Sequence, residues 1–172
     1  MKTLKVIKEQ DIVPSAPPVD RSEFQTRNAA RAIVLNENNG VYLLKVSLHN
    51  YHKLPGGGVD RGEDIKSALA RECMEEIGCE VDIIKDVGKI VEYLDGFRLI
   101  QTSYCFLAKH VGRQVASSLE KGEIAEGFVE VKAKNIDEAI RLLEQDQPDN
   151  YEGHFIKIRD TALLKAAKEL LT

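Results

Sequence analysis

One stretch, residues 54–79, limits the structures open to this chain more than any other. It reads LPGGGVDRGEDIKSALARECMEEIGC. A proline followed by three glycines is poor material for the interior of a helix or a strand, so the stretch begins as a loop. A helical pattern follows and stops at Gly78, a residue suited to the left-handed position after a helix. The sequence therefore predicts a glycine-rich loop that leads directly into a short helix.

The predicted helix has two different faces. Asp64 is the expected N-cap and Ile65 the first helical residue. At about 100° per residue, one arc of the helix is apolar, and it holds Leu69, Ala70, Cys73, Met74 and Ile77. The opposite arc holds Glu72, Glu75 and Glu76, whose like charges repel one another at this spacing. A cation is therefore expected at the glutamate face.

Carboxylate oxygens at this spacing suit Mg²⁺ or Mn²⁺. Because Mg²⁺ shares its coordination with waters and substrate phosphates, the glutamate face favours a phosphate-bearing ligand over a sealed structural metal site. The glycines at 56–58 let a ligand or metal approach the backbone closely. Arg71 can hold Glu75 four residues later, or bind a phosphate. Together these residues predict hydrolysis of a phosphoanhydride by a metal-activated water, with a glutamate as proton acceptor.

The same residues resemble the signature of the Nudix hydrolases, Gly-x5-Glu-x7-Arg-Glu-U-x-Glu-Glu-x-Gly-U, where U is a bulky apolar residue. Every fixed position agrees between Gly57 and Cys79, without a gap. The one departure is cysteine at both U positions, where Ile, Leu or Val is usual. The resemblance implies an α/β fold, the Nudix-type α/β/α sandwich with a mixed β-sheet between helices. It also implies divalent-cation-dependent cleavage of a pyrophosphate bond in a nucleoside diphosphate linked to another moiety.

The resemblance further implies roles for individual residues. The implied metal-binding positions are Gly57, Glu63, Glu72, Glu75 and Glu76. The implied catalytic residues are Arg71, Glu72, Glu75, Glu76 and Glu123. Glu123 is included because members of the family often contribute a further glutamate to the site from a later loop. That glutamate lies a few residues before an aromatic residue with which a strand begins. Phe128 takes the aromatic place here, and Glu123 is favoured over Glu126.

The residues that distinguish the substrate subfamilies lie outside the signature, and they favour one subfamily by elimination. ADP-ribose pyrophosphatases tend to have a proline where this chain has Asp95, and the arginine-containing signature of coenzyme A pyrophosphatases is missing. Tyr93 is near, but not at, the tyrosine place of dinucleoside polyphosphate hydrolases. A MutT-like nucleoside triphosphate pyrophosphohydrolase, with oxidised nucleotides included, is the remaining prediction. Tyr51, Lys53 and Glu126 are predicted to contact its substrate.

Several alternatives stay open at this point. Within the family, the substrate is alternatively a dinucleoside polyphosphate, ADP-ribose or a nucleotide sugar. A Nudix module that senses a nucleotide without cleaving it is an alternative of another class. A prenyl diphosphate isomerase on a related fold is the third, although it would need an additional Cys or His at the site.

The rest of the chain is predicted to supply the sheet and further helices. Residues 1–28 are interpreted as an N-terminal extension with a short strand and a Pro-rich connector, which packs across the domain or helps a homodimer form. Residues 29–172 form the Nudix domain. Strands are predicted at 29–35, 41–46, 80–94, 97–109 and 128–132, with hairpin turns at 36–40 and 95–96. Helices are predicted at 136–144 and 158–171, and a polar loop at 111–127.

Charge and cysteine usage narrow the partners and the compartment. The formal net charge is −4, which argues against a nucleic-acid polymer as a partner and favours a small-molecule nucleotide. Three cysteines without a C-x-x-C pair fit neither a disulfide framework nor a zinc ribbon, so a cytoplasmic location is predicted. No apolar run approaches the roughly 18 to 20 residues of a membrane span, and no membrane partner is expected.

Overall fold

Seven strands form one mixed sheet with helices on both faces in the computed structural model, which describes residues 1–171. The strands are β1 (Thr3–Ile7), β2 (Gln25–Leu35), β3 (Val41–Val46), β4 (Tyr51–Lys53), β5 (Glu80–Leu94), β6 (Leu99–Val111) and β7 (Phe128–Ala133). The helices are α1 (Ile65–Ile77), α2 (Lys121–Ala125), α3 (Ile136–Gln145) and α4 (Tyr151–Leu171). This architecture confirms the predicted α/β/α sandwich. Residue 172, the last of the predicted domain 29–172, lies outside the described residues.

The strand order puts two parallel strands at the centre of the sheet. The order is β1-β5-β6-β2-β3-β4, and β7 also pairs with β3. β2 and β6 pair in parallel along the whole length of β2, and β1 pairs in parallel with β5. β5 and β6 form a long antiparallel hairpin, as the turn at 95–96 predicts.

Alternation along β2 divides the core into two layers. Ala30, Ala32 and Val34 contact α1, while Ile33 and Leu35 contact the layer of α3 and α4. The α1 layer is completed by Tyr42, Leu44, Ala68, Leu69, Cys73, Ile77, Cys79 and Phe106. The other layer includes Leu43, Leu54, Ile90, Leu107, Leu143, Phe155, Leu163 and Leu164. Each large apolar side chain buried in this way contributes about 1.5–3 kcal/mol to folding.

The glycine-rich loop lies against β2, and this contact corrects the first predicted hairpin. The backbone N–H groups of Ala30 and Ala32 donate to the carbonyls of Gly57 and Pro55, both at 2.9 Å. The loop thus occupies the edge of β2 that β3 would need for a full hairpin. β2 and β3 consequently pair at a single position, next to their connecting turn.

Helix α1 begins and ends where the sequence predicts, but its buried face is rotated. The Asp64 side chain accepts the backbone N–H groups of Lys66 and Ser67, and Gly78 takes the left-handed conformation with φ 62°. Ala68 and Glu76 are buried, whereas Ala70 is exposed and Met74 half-buried. The prediction that the buried arc and the glutamate arc are separate is therefore wrong for Glu76, which is buried.

The last helix starts earlier than predicted. α4 begins at Tyr151 rather than at residue 158, and its buried positions include Leu164 and Ala167, while Leu170 is exposed. The first two turns were not predicted, because they lie in a polar segment that contains Gly153, and glycine disfavours a helix interior. A side chain at Gly153 would collide with the ring of Tyr51, so the glycine serves close packing in the helix rather than ending it.

The segment predicted as a polar loop contains a short helix. α2 forms within 111–127, and Glu120 and Glu123 make reciprocal capping contacts at its start. The same segment is fixed to the end of α1, because Ser118 N donates to the Glu75 carbonyl at 2.7 Å and Val115 N donates to the Gly78 carbonyl at 2.9 Å. Backbone contacts of this kind hold α2 close to the glutamate face.

The N-terminal residues join the sheet and contact its far hairpin. β1 adds a parallel edge strand next to β5. Arg21 forms two 2.7 Å hydrogen bonds to Asp95, and the Tyr151 hydroxyl donates to Glu9 at 2.6 Å. Residues 1–28, predicted as an extension, thus include an edge strand of the sheet. Among residues 1–171, no helix combines the length and the apolar character that crossing a membrane requires.

Candidate active site

The glutamate face of α1 and the glycine-rich loop border one open cavity of about 370 Å³. Side chains of both signs surround it. The acidic lining residues are Asp60, Glu72, Glu75, Glu76, Glu120, Glu123 and Glu152. The basic lining residues are Arg27, Arg31, Lys53 and Arg71, and the lining is completed by the glycines at 56–58 and Gln101. Acidic and basic groups on one concave surface suit a ligand that carries phosphates and a cation.

The loop reaches this position because its glycines allow close approach on both sides. Gly56 has φ 131°, and a side chain there would collide with the backbone carbonyl of Ala30. A side chain at Gly57 would lie among the carboxylate atoms of Glu72, at 2.5 to 2.7 Å. The loop is therefore held between β2 and the first glutamate of the α1 face.

Glu76 is the buried member of the three α1 glutamates, with 2% of its surface exposed. Its Oε1 accepts Lys53 Nζ at 2.8 Å, and its Oε2 accepts the backbone N–H of Gly56 at 2.6 Å. Burial raises the pKa of Glu76, and the Lys53 cation opposes that increase. Lys53 itself is buried and contacts the ring of Phe128 at 4.8 Å from the centroid. This pair fixes the end of the loop to α1.

Arg71 joins the remaining carboxylates. Its Nε and Nη2 donate to the two oxygens of Glu63 at 3.0 Å each, and its Nη1 donates to Glu72 at 2.8 Å and to Glu75 at 3.2 Å. Nη2 also donates to the carbonyl of Gly58 at 3.1 Å. The hydrogen bonds to Glu63 are the main reason that the pKa of Arg71 is raised, and the same contact holds the pKa of Glu63 below its usual value.

The donor set has the chemistry of a divalent-cation site. Glu72 lies directly over Gly57, and Glu75 and Glu76 line the same cavity. Across residues 1–171, no three Asp, Glu, His or Cys side chains converge closely enough to hold an ion in their present positions. Arg71 forms ion pairs with Glu72 and Glu75, and Lys53 forms one with Glu76. Carboxylate oxygens such as these are ligands that Mg²⁺ and Mn²⁺ prefer.

Further buried charges from α4 and β2 position the backbone of the loop. Asp160 Oδ2 accepts the backbone N–H of Leu54 at 2.8 Å, and Arg31 Nη1 donates to the carbonyl of Gly56. Arg159 Nε donates to Asp160 Oδ1 at 2.7 Å. Together with Glu76, these contacts mean that β2, α1 and α4 each hold the loop through a buried ionisable side chain.

The structure brings some of the predicted site residues to the cavity and leaves others away from it. Those that line it are Gly57, Lys53, Arg71, Glu72, Glu75, Glu76 and Glu123. Glu63 acts on the site through Arg71 instead of lining the cavity. Glu126, the alternative to Glu123, is not among the residues that line the cavity. Its backbone carbonyl accepts the N–H of Leu48. Tyr51 is buried against Ile156 and Val46, away from the cavity.

Sequence reasoning missed several lining residues, of which Arg27, Arg31, Gln101 and Glu152 are the main ones. One signal was available for Arg31, because a charge within the apolar run AARAIVL has to be buried with the strand. Gln101 carried no such signal. It reaches the site because β6 pairs with β2 in a register that sets it beside Arg27. Glu152 was hidden by the late predicted start of α4.

Comparison with known proteins adds an independent line of evidence. A family model described as the NUDIX domain matches residues 25–153. An RNA pyrophosphohydrolase of Pelagibacter ubique is 37% identical over 70 residues, which are 39% of this chain and 44% of that protein. An RNA pyrophosphohydrolase of Campylobacter jejuni is 36% identical over 89 residues, which are 48% of this chain and 57% of that protein. The chain thus spans about half the length of these relatives.

A solved structure matches over nearly the whole chain. The solution structure of the E. coli ORF135 protein superposes with a TM-score of 0.63 at 18% identity, covering 91% of this chain and 96% of that one. At this level of identity the match concerns the fold alone. It agrees with the layered arrangement of strands and helices described above.

Proposed function

Because the chain belongs to the Nudix family, we propose that it is a divalent-cation-dependent pyrophosphohydrolase that acts on nucleoside triphosphates. The observation that carries this proposal is the composition of one cavity. Three carboxylates of α1 line it together with the cations of Arg27, Arg31 and Lys53. A polyphosphate chain needs both kinds of group, since its metal-bound oxygens face the carboxylates and its other oxygens need cationic donors.

The proposal assigns a task to each part of the site. Glu72, Glu75 and Glu76 would hold Mg²⁺ or Mn²⁺. Arg71 would then separate from Glu72 and Glu75 and stay bound to Glu63. A bound divalent cation supplies charge neutralisation at the phosphoryl group and a water of lowered pKa. Glu123 reaches the cavity from α2 and is proposed to accept the proton of the attacking water. Lys53 holds Glu76 in place and adds positive charge near the phosphates.

A triphosphate at the 5′ end of an RNA is the second candidate substrate. The observation in its favour is that both relatives described above are RNA pyrophosphohydrolases. The chemistry would be the same, because the cleaved bond is again a phosphoanhydride. The net charge of −4 favours the free nucleotide, since a nucleic-acid polymer is held mainly by basic surface.

A substrate panel tests the proposal. We would assay nucleoside triphosphates, an oxidised nucleotide, 5′-triphosphorylated RNA, dinucleoside polyphosphates, ADP-ribose and nucleotide sugars, with Mg²⁺ and with Mn²⁺. The expected result is highest kcat/KM on a nucleoside triphosphate, with pyrophosphate as the product. Highest kcat/KM on the RNA would support the second candidate. Nucleotide binding without any phosphate release would contradict both and favour a sensing module.

Matched variants show whether the assigned glutamates perform the reaction. Glu75→Gln and Glu76→Gln are each expected to lower turnover by about 10²–10⁴-fold, the range typical for loss of a catalytic proton-transfer or metal-binding group. Circular dichroism should stay unchanged for Glu75→Gln, whereas Glu76→Gln should also lower the free energy of unfolding, because it leaves the buried Lys53 without its anion. Glu80→Gln removes an exposed carboxylate just beyond α1 and is the control. Unchanged turnover in both α1 variants would refute the assigned roles.

A cytoplasmic location belongs to the same proposal. Its support is that all three cysteines are free and buried, as in proteins of reducing compartments. The homodimer and the division of the chain at residue 28 remain predictions from the sequence.

A further inference from the structure

Arg31 is a buried guanidinium whose hydrogen-bonding capacity is almost unused. It is 6% exposed, lies on β2 and lines the cavity. Its one hydrogen bond within residues 1–171 runs from Nη1 to the carbonyl of Gly56, and its Nε is buried without a partner. A guanidinium has five N–H donors, and leaving buried donors unpaired is costly. The side chain therefore has free donors at the edge of an open cavity.

The neighbouring carboxylates do not satisfy Arg31, because each is paired with another cation. Glu76 binds Lys53 at 2.8 Å, Asp160 binds Arg159 at 2.7 Å, and Glu92 receives Arg159 Nη1 at 3.4 Å. Within the described chain, no carboxylate forms an ion pair with Arg31. Burial first and then the Arg159 charge lower the pKa of Arg31, and the charges of Asp160, Glu92 and Glu76 oppose that decrease without a direct contact.

Arg31 lies close to the glutamate face of α1 through the glycine-rich loop. The residue that it contacts, Gly56, is the chain neighbour of Gly57, and the carboxylate of Glu72 lies directly over Gly57. Arg31 and Glu72 therefore both lie against the same short piece of backbone. Because both also line the cavity, a phosphate that lies in it beside Glu72 would be close to Arg31 as well.

We propose that Arg31 binds a non-bridging oxygen of a substrate phosphate, and so forms an anion subsite in the cavity that the α1 glutamates line. The inference rests on the proposed function and deepens it, because it makes this arginine a determinant of affinity for the phosphate chain. The interaction is a charge-assisted hydrogen bond in a mostly dry setting, where such bonds are short and strong. A phosphate would supply acceptors for donors of Arg31 that no protein group accepts.

Binding measurements with and without a nucleobase test this inference. The probes are methylenediphosphonate, which has no base, and a nucleoside triphosphate with a methylene bridge, both titrated calorimetrically in Mg²⁺. Arg31→Gln is expected to weaken both by a similar factor, about 10- to 100-fold, as loss of one hydrogen bond to a charged group predicts. Arg31→Met is the second variant, in case the glutamine variant does not fold. Arg141→Gln, which removes a guanidinium with 62% side-chain exposure from α3, is the control and should bind as the wild type does.

Two further readouts separate this subsite from other roles. If Arg31 only shaped the loop through Gly56, Arg31→Gln would weaken Mn²⁺ binding in the absence of phosphate, and that result would overturn the inference. Weakened binding of the nucleotide but not of methylenediphosphonate would also overturn it, because Arg31 would then contact the nucleobase. Unchanged Mn²⁺ affinity with equal loss for both probes supports it.

The outcome for Arg31 can be told apart from the outcome for the proposed function. If the wild-type protein hydrolyses no nucleotide, the binding titrations still measure the subsite. If it hydrolyses nucleotides and Arg31→Gln binds both probes as tightly as the wild type, the anion subsite alone is refuted.

Discussion

At the scale of single residues, the three α1 glutamates are not equivalent. Arg71 holds Glu72 and Glu75 at the cavity surface, whereas Glu76 is buried with Lys53 and the backbone of Gly56. A buried carboxylate is tolerated only when a cation and hydrogen bonds satisfy it. The Lys53–Glu76 pair is therefore a structural requirement of the loop as well as part of the site.

Substitution of Lys53 is predicted to destabilise the fold. Lys53→Met leaves Glu76 buried without its cation and should lower the free energy of unfolding by about 3–5 kcal/mol, the usual result of breaking a buried pair from one side. In the double variant Lys53→Met/Glu76→Gln the loss should be smaller, because no unpaired charge remains. Urea denaturation measures both, and a double variant that loses the full sum of the single losses would contradict the coupling.

At the scale of elements, the two ends of α1 fix the glutamates in space. Asp64 caps the first turn, and the left-handed Gly78 closes the last turn by donating its N–H to the carbonyls of Cys73 and Met74. A side chain at Gly78 would also collide with the carbonyl of Val115, in the segment that leads to α2. Gly78 therefore serves both the helix end and the contact between α1 and that segment.

Comparison of two glycines separates these tasks. Gly62 also has a positive φ, 84°, but a side chain there would meet open space. Gly62→Ala should cost only the left-handed strain, about 1–2 kcal/mol. Gly78→Ala should cost clearly more, because the clash with Val115 adds to the strain. Thermal and urea unfolding of the two variants test this, and equal losses would mean that the segment yields to the added side chain.

The same scale shows how far the sequence determines the fold. Asp64, Gly78 and Asn135 are strong local signals, and α1 and α3 begin where their caps predict. The partners of β2 had no local signal, since β2 bonds mainly to β6 and to the glycine-rich loop and pairs with the adjacent β3 at one position only. The start of α4 could not be predicted in the same way, because Gly153 is required by a tertiary contact with Tyr51.

The candidate site divides in the same way. The residues on α1 and its loop could be predicted, because one helix period and one glycine run place them together. Arg31, Gln101 and Glu152 could not be assigned, because they come from β2, β6 and α4 and meet only in the folded chain. Their positions depend on strand register and helix start, which the local pattern does not determine.

At the scale of the whole molecule, the N-terminal segment is bound to the domain at two places. β1 pairs with β5 and buries Ile7 completely, in the core layer of α3 and α4. Arg21 and Glu9 contact the β5–β6 turn and α4 through Asp95 and Tyr151. These contacts connect the segment to the same α4 that carries Arg159 and Asp160.

The segment is predicted to unfold together with the domain. Ile7→Ala should lower the free energy of unfolding by about 2–5 kcal/mol, as for other buried large-to-small changes. Val6→Ala, at a neighbouring position that is 42% exposed, is the control and should change it by about 0.5 kcal/mol or less. Equal small effects at both positions would indicate that β1 detaches before the domain unfolds.

The central parallel pair also has a consequence for how the protein reaches its folded state. β2 pairs with β6 from Gln25–Leu99 to Leu35–Lys109, so the two strands are far apart in the sequence. The β5–β6 hairpin is local and closes early at low entropic cost, whereas docking of β2 requires closure of a long chain segment. Arg27 and Arg31 arrive only with that docking step. Because α1 packs on the same strand, the arginines and the glutamates of the cavity are expected to come together in that one step.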